Sequence, residues 1–422
     1  MYTKRRRKIF SLKYKKPYDT VIIGGGIAGL YCAYKLSETQ NVALFDERNY
    51  IGGRIYTHHL NDNNFEIGAA RFNDSHTLLL ELIKYYKLTK IPIPKEIDYI
   101  ECFENKENKV TINSHIEFQK TLNEIVQKTK NTKNLKTITF FQHLINILKS
   151  KEKADRMVNI FGYYSEMKEM NALDAYNTFK NDFGNVQYYF LMEGLSSLCE
   201  NMMKTIQKNG SKVYLKSHIN SVERVNNIFK IGKENSKKKF NSNKVIFAIK
   251  PYQLKSFPII NSIHKYSTAV YNAPLIRMYA VYKEIWFKKI NRTTTNNILR
   301  QIIPINKKTG LIMISYTDGE DTKPFMKNKY ELKSNIELRQ IVADNIKKIF
   351  PDKNIKEPLH FSAYLWKVGC HHWLPNIDSE KIQKNILNPV ENVYICGEGF
   401  SNKQAWIEGA LDSASKVIKC IK

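Results

Sequence analysis

Near its N-terminus the chain alternates apolar blocks with turn residues in a strand, turn, helix, strand order. Thr20-Val21-Ile22-Ile23 is a short apolar run, with the length and β-branched content of a buried strand. It leads into Gly24-Gly25-Gly26-Ile27-Ala28-Gly29, a helical stretch to about Ser37, and a second run, Val42-Ala43-Leu44-Phe45, that ends at Asp46. Further along, Ser211 to Ile219 and Lys244 to Ile249 read as strands, with the polar stretch Lys233 to Lys239 as the turn of a small sheet between them. Asn392 to Gly399 is a strand ending in glycine, followed by a C-terminal helix. Between these pieces, about Asn73 to Glu200 is mostly helical by periodicity, including His76 to Lys87 and Gly194 to Lys208. About Ser256 to Asp378 mixes helices with strand-like runs such as Met278 to Tyr282 and Leu311 to Tyr316. The pattern predicts an α/β fold with a Rossmann-type nucleotide-binding domain, discontinuous in sequence, and a mixed α+β second domain.

The glycines give the first unit its chemistry. Gly24 permits a tight turn out of the strand, Gly26 lets backbone approach a pyrophosphate, and Gly29 lets the helix pack close to the sheet. The helix that starts at Ile27 and Ala28 offers free N–H groups and a positive dipole end to phosphates. Asp46, about twenty residues beyond the glycines, stands where an acid accepts hydrogen bonds from ribose hydroxyls.

After Asp46 comes Glu47-Arg48-Asn49-Tyr50-Ile51-Gly52-Gly53-Arg54, which resembles the E-x-R-x-x-x-GGR signature of the flavin-dependent amine oxidase family. The resemblance implies FAD, with Arg48, Gly52, Gly53 and Arg54 adding contacts to the diphosphate. It also implies that Ile219 meets the adenine through its backbone. Near the C-terminus, Gly397, Glu398, Trp406, Glu408, Gly409, Ala410 and Ser413 are similar to the family's G-E-x-x…G-[YW]-x-E-G-A-x-x-S-G motif. This places Glu398 and Ile407 at the cofactor and Trp406 on the flavin face.

Three further segments bear on the reaction. Trp366 to Pro375 resembles the W-x-x-G-[ACS]-[YF] segment, with Cys370 on the cysteine that some relatives bond covalently to flavin. His371 falls on the tyrosine of their aromatic cage, opposite Trp406. Many relatives bind FAD without that bond, and a small buried Cys is the commoner fate, so dissociable FAD is expected, with attachment at Cys370 as the alternative. Ala273 to Glu284 looks like the strand on which many members place a Lys that holds a water at flavin N5. Here the residue is Arg277, which donates but is never neutral. Glu66-Ile67-Gly68-Ala69-Ala70-Arg71-Phe72 resembles the G-x-x-R of L-amino acid oxidases, with Gly68 and Ala69 beside the cofactor and Arg71 gripping a substrate carboxylate.

Composition adds one departure. The chain has 67 Lys+Arg against 40 Asp+Glu, a net charge of +27. Lys, Asn and Ile are abundant together throughout, which reads as compositional bias, and no nucleic-acid module is recognisable. Lys4, Arg5, Arg6, Arg7 and Lys8, with Lys13, Lys15 and Lys16, form a basic arm that could address nucleic acid or another polyanion. No apolar run is long enough to span a bilayer and no signal peptide is evident, so a soluble, cytoplasmic protein is expected. The six cysteines show no CxxC pair or metal spacing, so neither a disulfide framework nor a metal site is suggested.

The expected organisation is an arm (1–16), FAD-binding segments (17–72, 201–255, 385–422) and substrate-domain segments (73–200, 256–384). The expected reaction oxidises the C–N bond of an amine or L-amino acid to an imine, with O2 as acceptor and H2O2 as product. Arg277, His371 and Trp406 are its candidate catalytic residues, and Arg71, His371 and Trp406 its candidate substrate contacts. Two alternatives share the fold: desaturase-like redox chemistry, for which Arg71 is irrelevant, and a binding flavoprotein using its basic surface. Oligomeric state is not legible in the sequence.

Overall fold

The computed structural model describes residues 16–129, 134–182 and 186–421. Apart from Lys16, the basic arm lies outside the described residues.

The apolar run at Tyr18–Ile23 forms a strand at the centre of a seven-stranded sheet. It pairs in parallel with Val42–Phe45 on one side and with Lys239–Phe247 on the other. Lys212–Tyr214 extends the first edge. On the second, Ile228–Lys233 pairs antiparallel with the first half of Lys239–Phe247 and Ile219–Val225 pairs antiparallel with Ile228–Lys233 at the edge, while Val393–Ile395 takes the last residues of Lys239–Phe247 in parallel. One layer is therefore assembled from three distant stretches of chain. The helices Ile27–Leu36, Thr77–Tyr85, Ser196–Lys208 and Ile407–Ile421 share one apolar core on its face. The last of these buries Ile407, Ala410, Leu411, Ala414, Val417 and Ile418, the spacing of one helical stripe.

The second sheet runs in the order His360–Trp373, Val270–Val281, Leu311–Asp318, Gln301–Asn306, Arg292–Thr295, Ile97–Glu101, Lys109–Thr111. Its two longest strands pair antiparallel with a register shift between Ala273 and Leu275. A Cβ on Gly369 would lie 2.6 Å from that of Leu275, so only glycine fits opposite this bulge.

Two readings of the sequence need correction. Ser211 to Ile219 is not one strand: Lys212–Tyr214 and Ile219–Val225 lie at opposite edges of the first sheet. Lys216 turns the chain with φ of 48°. The backbone N–H groups of Lys216 and Ser217 then donate to the carbonyls of Arg48 and Asp46, so the connection crosses the end of Val42–Phe45. The stretch from Asn73 to Glu200 is largely helical, but Ile97–Glu101 and Lys109–Thr111 leave it to finish the second sheet. No helix among the described residues is long and apolar enough to cross a membrane.

Candidate active site

Between the carboxyl ends of the first sheet's parallel strands and the face of the second lies a cavity of about 970 Å³, the usual place for a ligand in such a fold. Every residue singled out above as a cofactor, substrate or catalytic candidate lines it, with the exception of Gly29. Gly29 acts behind the wall, where a Cβ would lie 1.9 Å from the Gly24 carbonyl oxygen. It sets the contact between helix and strand.

At the nucleotide end the two glycine turns lie side by side. The Gly52 N–H donates to the Gly25 carbonyl at 2.9 Å, and Gly53, with φ of 64°, would place a Cβ 3.0 Å from the Gly26 Cα. A Cβ on Gly26 itself would meet nothing within 4 Å, so the protein leaves that approach open. Gly26 caps the helix Ile27–Leu36 without a side-chain bond, so its first N–H groups point at the opening. Asp46 accepts from Gly25 N–H through one oxygen (2.6 Å) and Arg48 N–H through the other (2.8 Å), with a second lone pair left on each. Arg48 is fixed by the Gly53 carbonyl (2.8 Å), by the Tyr50 hydroxyl and by stacking on Trp366. His218 and Ile219 reach this end because of the crossing at Lys216.

The middle of the cavity is held by Arg54, Glu398 and His371. Arg54 pairs with Glu398 at 2.8 Å and donates to the Gly369 carbonyl at 3.0 Å. Glu398 also accepts the backbone N–H of His371 (3.0 Å) and of Ala405 (2.8 Å), and His371 Nδ1 lies 2.7 Å from it. Burial alone would raise the Glu398 carboxyl, but Arg54 and His371 outweigh it and hold it well below the usual range. Burial pushes the His371 ring down despite Glu398. His371 Nδ1 is thus committed to Glu398, while Nε2 is buried with no hydrogen-bond partner among the described residues. Burial, then Arg54 and Arg48, push Lys250 down to about 8 on the same wall.

The far end is aromatic and cationic. The Trp406 ring meets those of His76 at 4.9 Å and Tyr188 at 6.1 Å. The Arg71 guanidinium stands over Tyr188 (4.9 Å), Tyr163 (5.4 Å) and Trp406 (5.8 Å). Arg277, on Val270–Val281, donates to the Glu66 carbonyl at 2.7 Å and stacks on Tyr316 at 4.5 Å. Despite burial, neighbouring phenols keep it charged. The Glu66 side chain accepts from Leu195 N–H and the Thr57 hydroxyl, and burial pushes it up to about 7 against their effect and that of Arg277. Burial, then Glu398 and Asp318, push the Cys370 thiol well up.

Sequence reasoning missed Glu66 as a titrating group, Tyr163, Arg292 and Tyr316 as cavity walls, and Tyr188 as a ring against Arg71. The tyrosines and Arg292 come from segments with no motif of their own, whereas Glu66 opens the segment that carries Arg71. Alternation along Leu311–Asp318 offered no signal: the strand is buried almost throughout, and a register shift brings both Met313 and Tyr316 to the cavity.

A Rossmann-type layer whose paired glycine turns open onto a deep cavity, closed by a second sheet, defines the class of two-layer FAD-dependent oxidoreductases. The chain belongs to the flavin containing amine oxidoreductase family, which it matches over residues 27–417. It is similar to achacin of Lissachatina fulica, 41% identical over 76 residues (17% of this chain, 14% of the relative). It is also similar to an L-amino-acid oxidase of Mus musculus, 38% identical over 72 residues (16% of this chain, 11% of the relative). The matched stretches thus span a small part of these relatives. A putrescine oxidase redesigned in its cofactor binding superposes with a TM-score of 0.77 at 14% identity, covering 96% of this chain and 98% of the other, which shows the fold. The open approach at Gly26 and the uncapped helix fit the flavin that family membership implies.

Proposed function

We propose that the protein oxidises the C–N bond of an L-amino acid with a dissociable FAD, O2 serving as acceptor and H2O2 as product. The observation that carries this reading is Arg71, whose guanidinium lies over Trp406, Tyr188 and Tyr163 in the same cavity as the glycine cradle, with no carboxylate in salt-bridge contact among the described residues. A buried planar cation without an anion is costly, and a substrate carboxylate relieves that cost through two parallel hydrogen bonds.

FAD, when bound, supplies the two-electron oxidant that takes a hydride from the carbon bearing the amine. The chain's own residues would do the rest. The open turn at Gly26 and the uncapped helix receive the diphosphate, and Asp46 uses its free lone pairs on ribose. Arg48, Arg54 and Glu398 fix the middle of the cofactor, and Ile219 presents backbone to the adenine. Trp406, backed by Tyr188, flanks the substrate while Arg71 fixes its carboxylate, which sets the Cα–H direction. Arg277 holds a water by donation but cannot take up the amine's proton. His371 acts as a positioning residue between Arg54 and Glu398. The raised Cys370 thiol supports dissociable FAD, since a thiolate is the form that attacks. Released imine is hydrolysed by water to a keto acid.

The test is anaerobic bleaching of the flavin-loaded protein by amino acids and by simple amines, followed by peroxide measurement on adding oxygen. Bleaching by L-amino acids, lost in Arg71→Met with flavin content retained, supports the reading. Bleaching by amines alone overturns it.

A further inference from the structure

Arg71 is one of three arginines at the far end of the cavity. Arg277 and Arg292 line the same wall, and none of the three has a carboxylate in salt-bridge contact among the described residues. The cluster is organised around two phenols. Arg292 donates to the Tyr163 hydroxyl at 3.3 Å and to Gln301 Oε1 at 2.6 Å, while Arg71 stacks over the Tyr163 ring. Tyr163 meets Tyr316 edge-on at 5.2 Å, and Arg277 stacks on the far ring. The Nε–H groups of Arg277 and Arg292 are buried with no hydrogen-bond partner among the described residues.

The acids nearby do not neutralise this wall. Glu166, on the same cavity, favours the charge of Arg71, but no carboxylate is in salt-bridge contact with Arg292 or Arg277 among the described residues. Asp318 gives one oxygen to each of the Tyr164 and Ser165 N–H groups, and burial raises its carboxyl. Glu66, raised to about 7, is partly protonated near neutrality. Tyr163 registers the excess: burial alone would raise its phenol, yet Arg71, Arg292 and Arg277 together hold it below the usual range. Burial, with Arg71 opposing its charge, likewise pulls Arg292 down.

Binding one carboxylate at Arg71 leaves the cation at Arg292 uncompensated. Both guanidiniums touch the same tyrosine, so two carboxylates a few carbons apart reach both. Resting on the reading of Arg71 above, we propose that the substrates are acidic amino acids, with Arg292 and the Tyr163 hydroxyl binding the side-chain carboxylate. Neutral isosteres such as glutamine and asparagine leave Arg292 without an anion, and a polar site rejects an analogue that cannot satisfy it.

Two measurements test this on the flavin-loaded full chain. In the first, succinate and glutarate are titrated against butyrate while the flavin absorption spectrum is recorded, which needs no turnover. The diacids are expected to bind at least about 30-fold tighter, as a charge-assisted pair implies. In the second, anaerobic flavin reduction is compared for L-glutamate and L-aspartate against L-glutamine, L-asparagine and L-leucine. Acidic substrates are expected to lead by a similar factor in kcat/KM. Arg292→Gln should erase the preference, mostly through KM, while keeping its flavin spectrum and melting temperature; Arg292→Lys should restore part of it. Equal reduction by glutamate and glutamine, with butyrate binding as well as succinate, overturns the inference but leaves the amino acid reading standing. Reduction by amines and by no amino acid overturns both.

Discussion

Glu398 joins more parts of the site than any other side chain: Arg54 from the second glycine turn, His371 from the second sheet and the backbone before Trp406 all converge on it. Removing one partner of a buried pair leaves the other charge uncompensated, at a cost of about 3 kcal/mol or more. Glu398→Gln is therefore expected to lose about that much in urea unfolding and to copurify with less flavin. Since this carboxyl is depressed in the folded state, its stabilisation is present above its unfolded pKa near 4.5 and declines as pH falls below that value. Glu66 has the opposite sign. Its native carboxyl is raised to about 7 from 4.5, so the folded state holds the extra proton between those values. Stability is then expected to fall as pH rises from about 4.5 to about 7. Glu66→Gln, compared with the parent by urea unfolding across that range, should flatten the slope; an unchanged slope would refute the assignment. Glu398 was legible because it sits in a contiguous motif. Glu66 was quoted within a motif but not recognised as titrating, because its shift comes from burial, which only the packed fold creates. The same reason hid Arg292 and Tyr163.

The first strand, turn and helix were readable because each constraint is local: β-branched residues in the run, glycine where φ is positive at 107° for Gly24, and no Cβ where helix meets strand. The two glycines that look alike in the motif have separable effects. Gly29→Ala places a methyl against the Gly24 carbonyl at 1.9 Å, and overpacking of that kind costs about 1–3 kcal/mol. Gly26→Ala meets no protein atom within 4 Å, so the apo fold should melt as the parent does while FAD affinity falls. Thermal melts without flavin, alongside FAD titration by fluorescence quenching, separate the two; equal destabilisation by both substitutions would contradict the cradle. The strand from Ser211 failed as a reading because its break depends on Lys216 adopting φ of 48° to hand its N–H to Arg48. No propensity at Lys216 announces that partner. Paired glycines and a terminal acid point to nucleotide, whereas a β-bulge opposite Gly369 depends on a strand almost a hundred residues upstream.

At the scale of the whole chain, the cavity is the seam between two sheets. Its walls come from Ile23 to Arg71, from Ser217 to Phe257, from the strands bearing Arg277 and Tyr316, and from Trp366 to Ala410. Arg54 to the Gly369 carbonyl, the Trp366 indole to the Ile67 carbonyl, Arg277 and Tyr279 to the Glu66 carbonyl, and the His371 N–H to Glu398 cross that seam, and a bound cofactor lying among them would add to the contact between layers. A ligand that binds only the native state stabilises it by RT ln(1 + [L]/Kd), about 2.7 kcal/mol at a hundredfold excess over Kd. Flavin loading is thus expected to raise the melting temperature with FAD concentration and to protect both layers from proteolysis together. The basic charge of +27 predicts a second, separate effect: polyphosphate or heparin also shifts the melt, but salt weakens that shift steeply because surface charges are screened. Gly26→Ala distinguishes the two sources. It should lose the FAD-dependent shift and keep the polyanion-dependent one, since the glycine lies in the cavity and the charge is spread along the chain. If FAD protects only the layer carrying the glycine turns, the seam does not run through the cofactor, and the two sheets must be held by their own contacts.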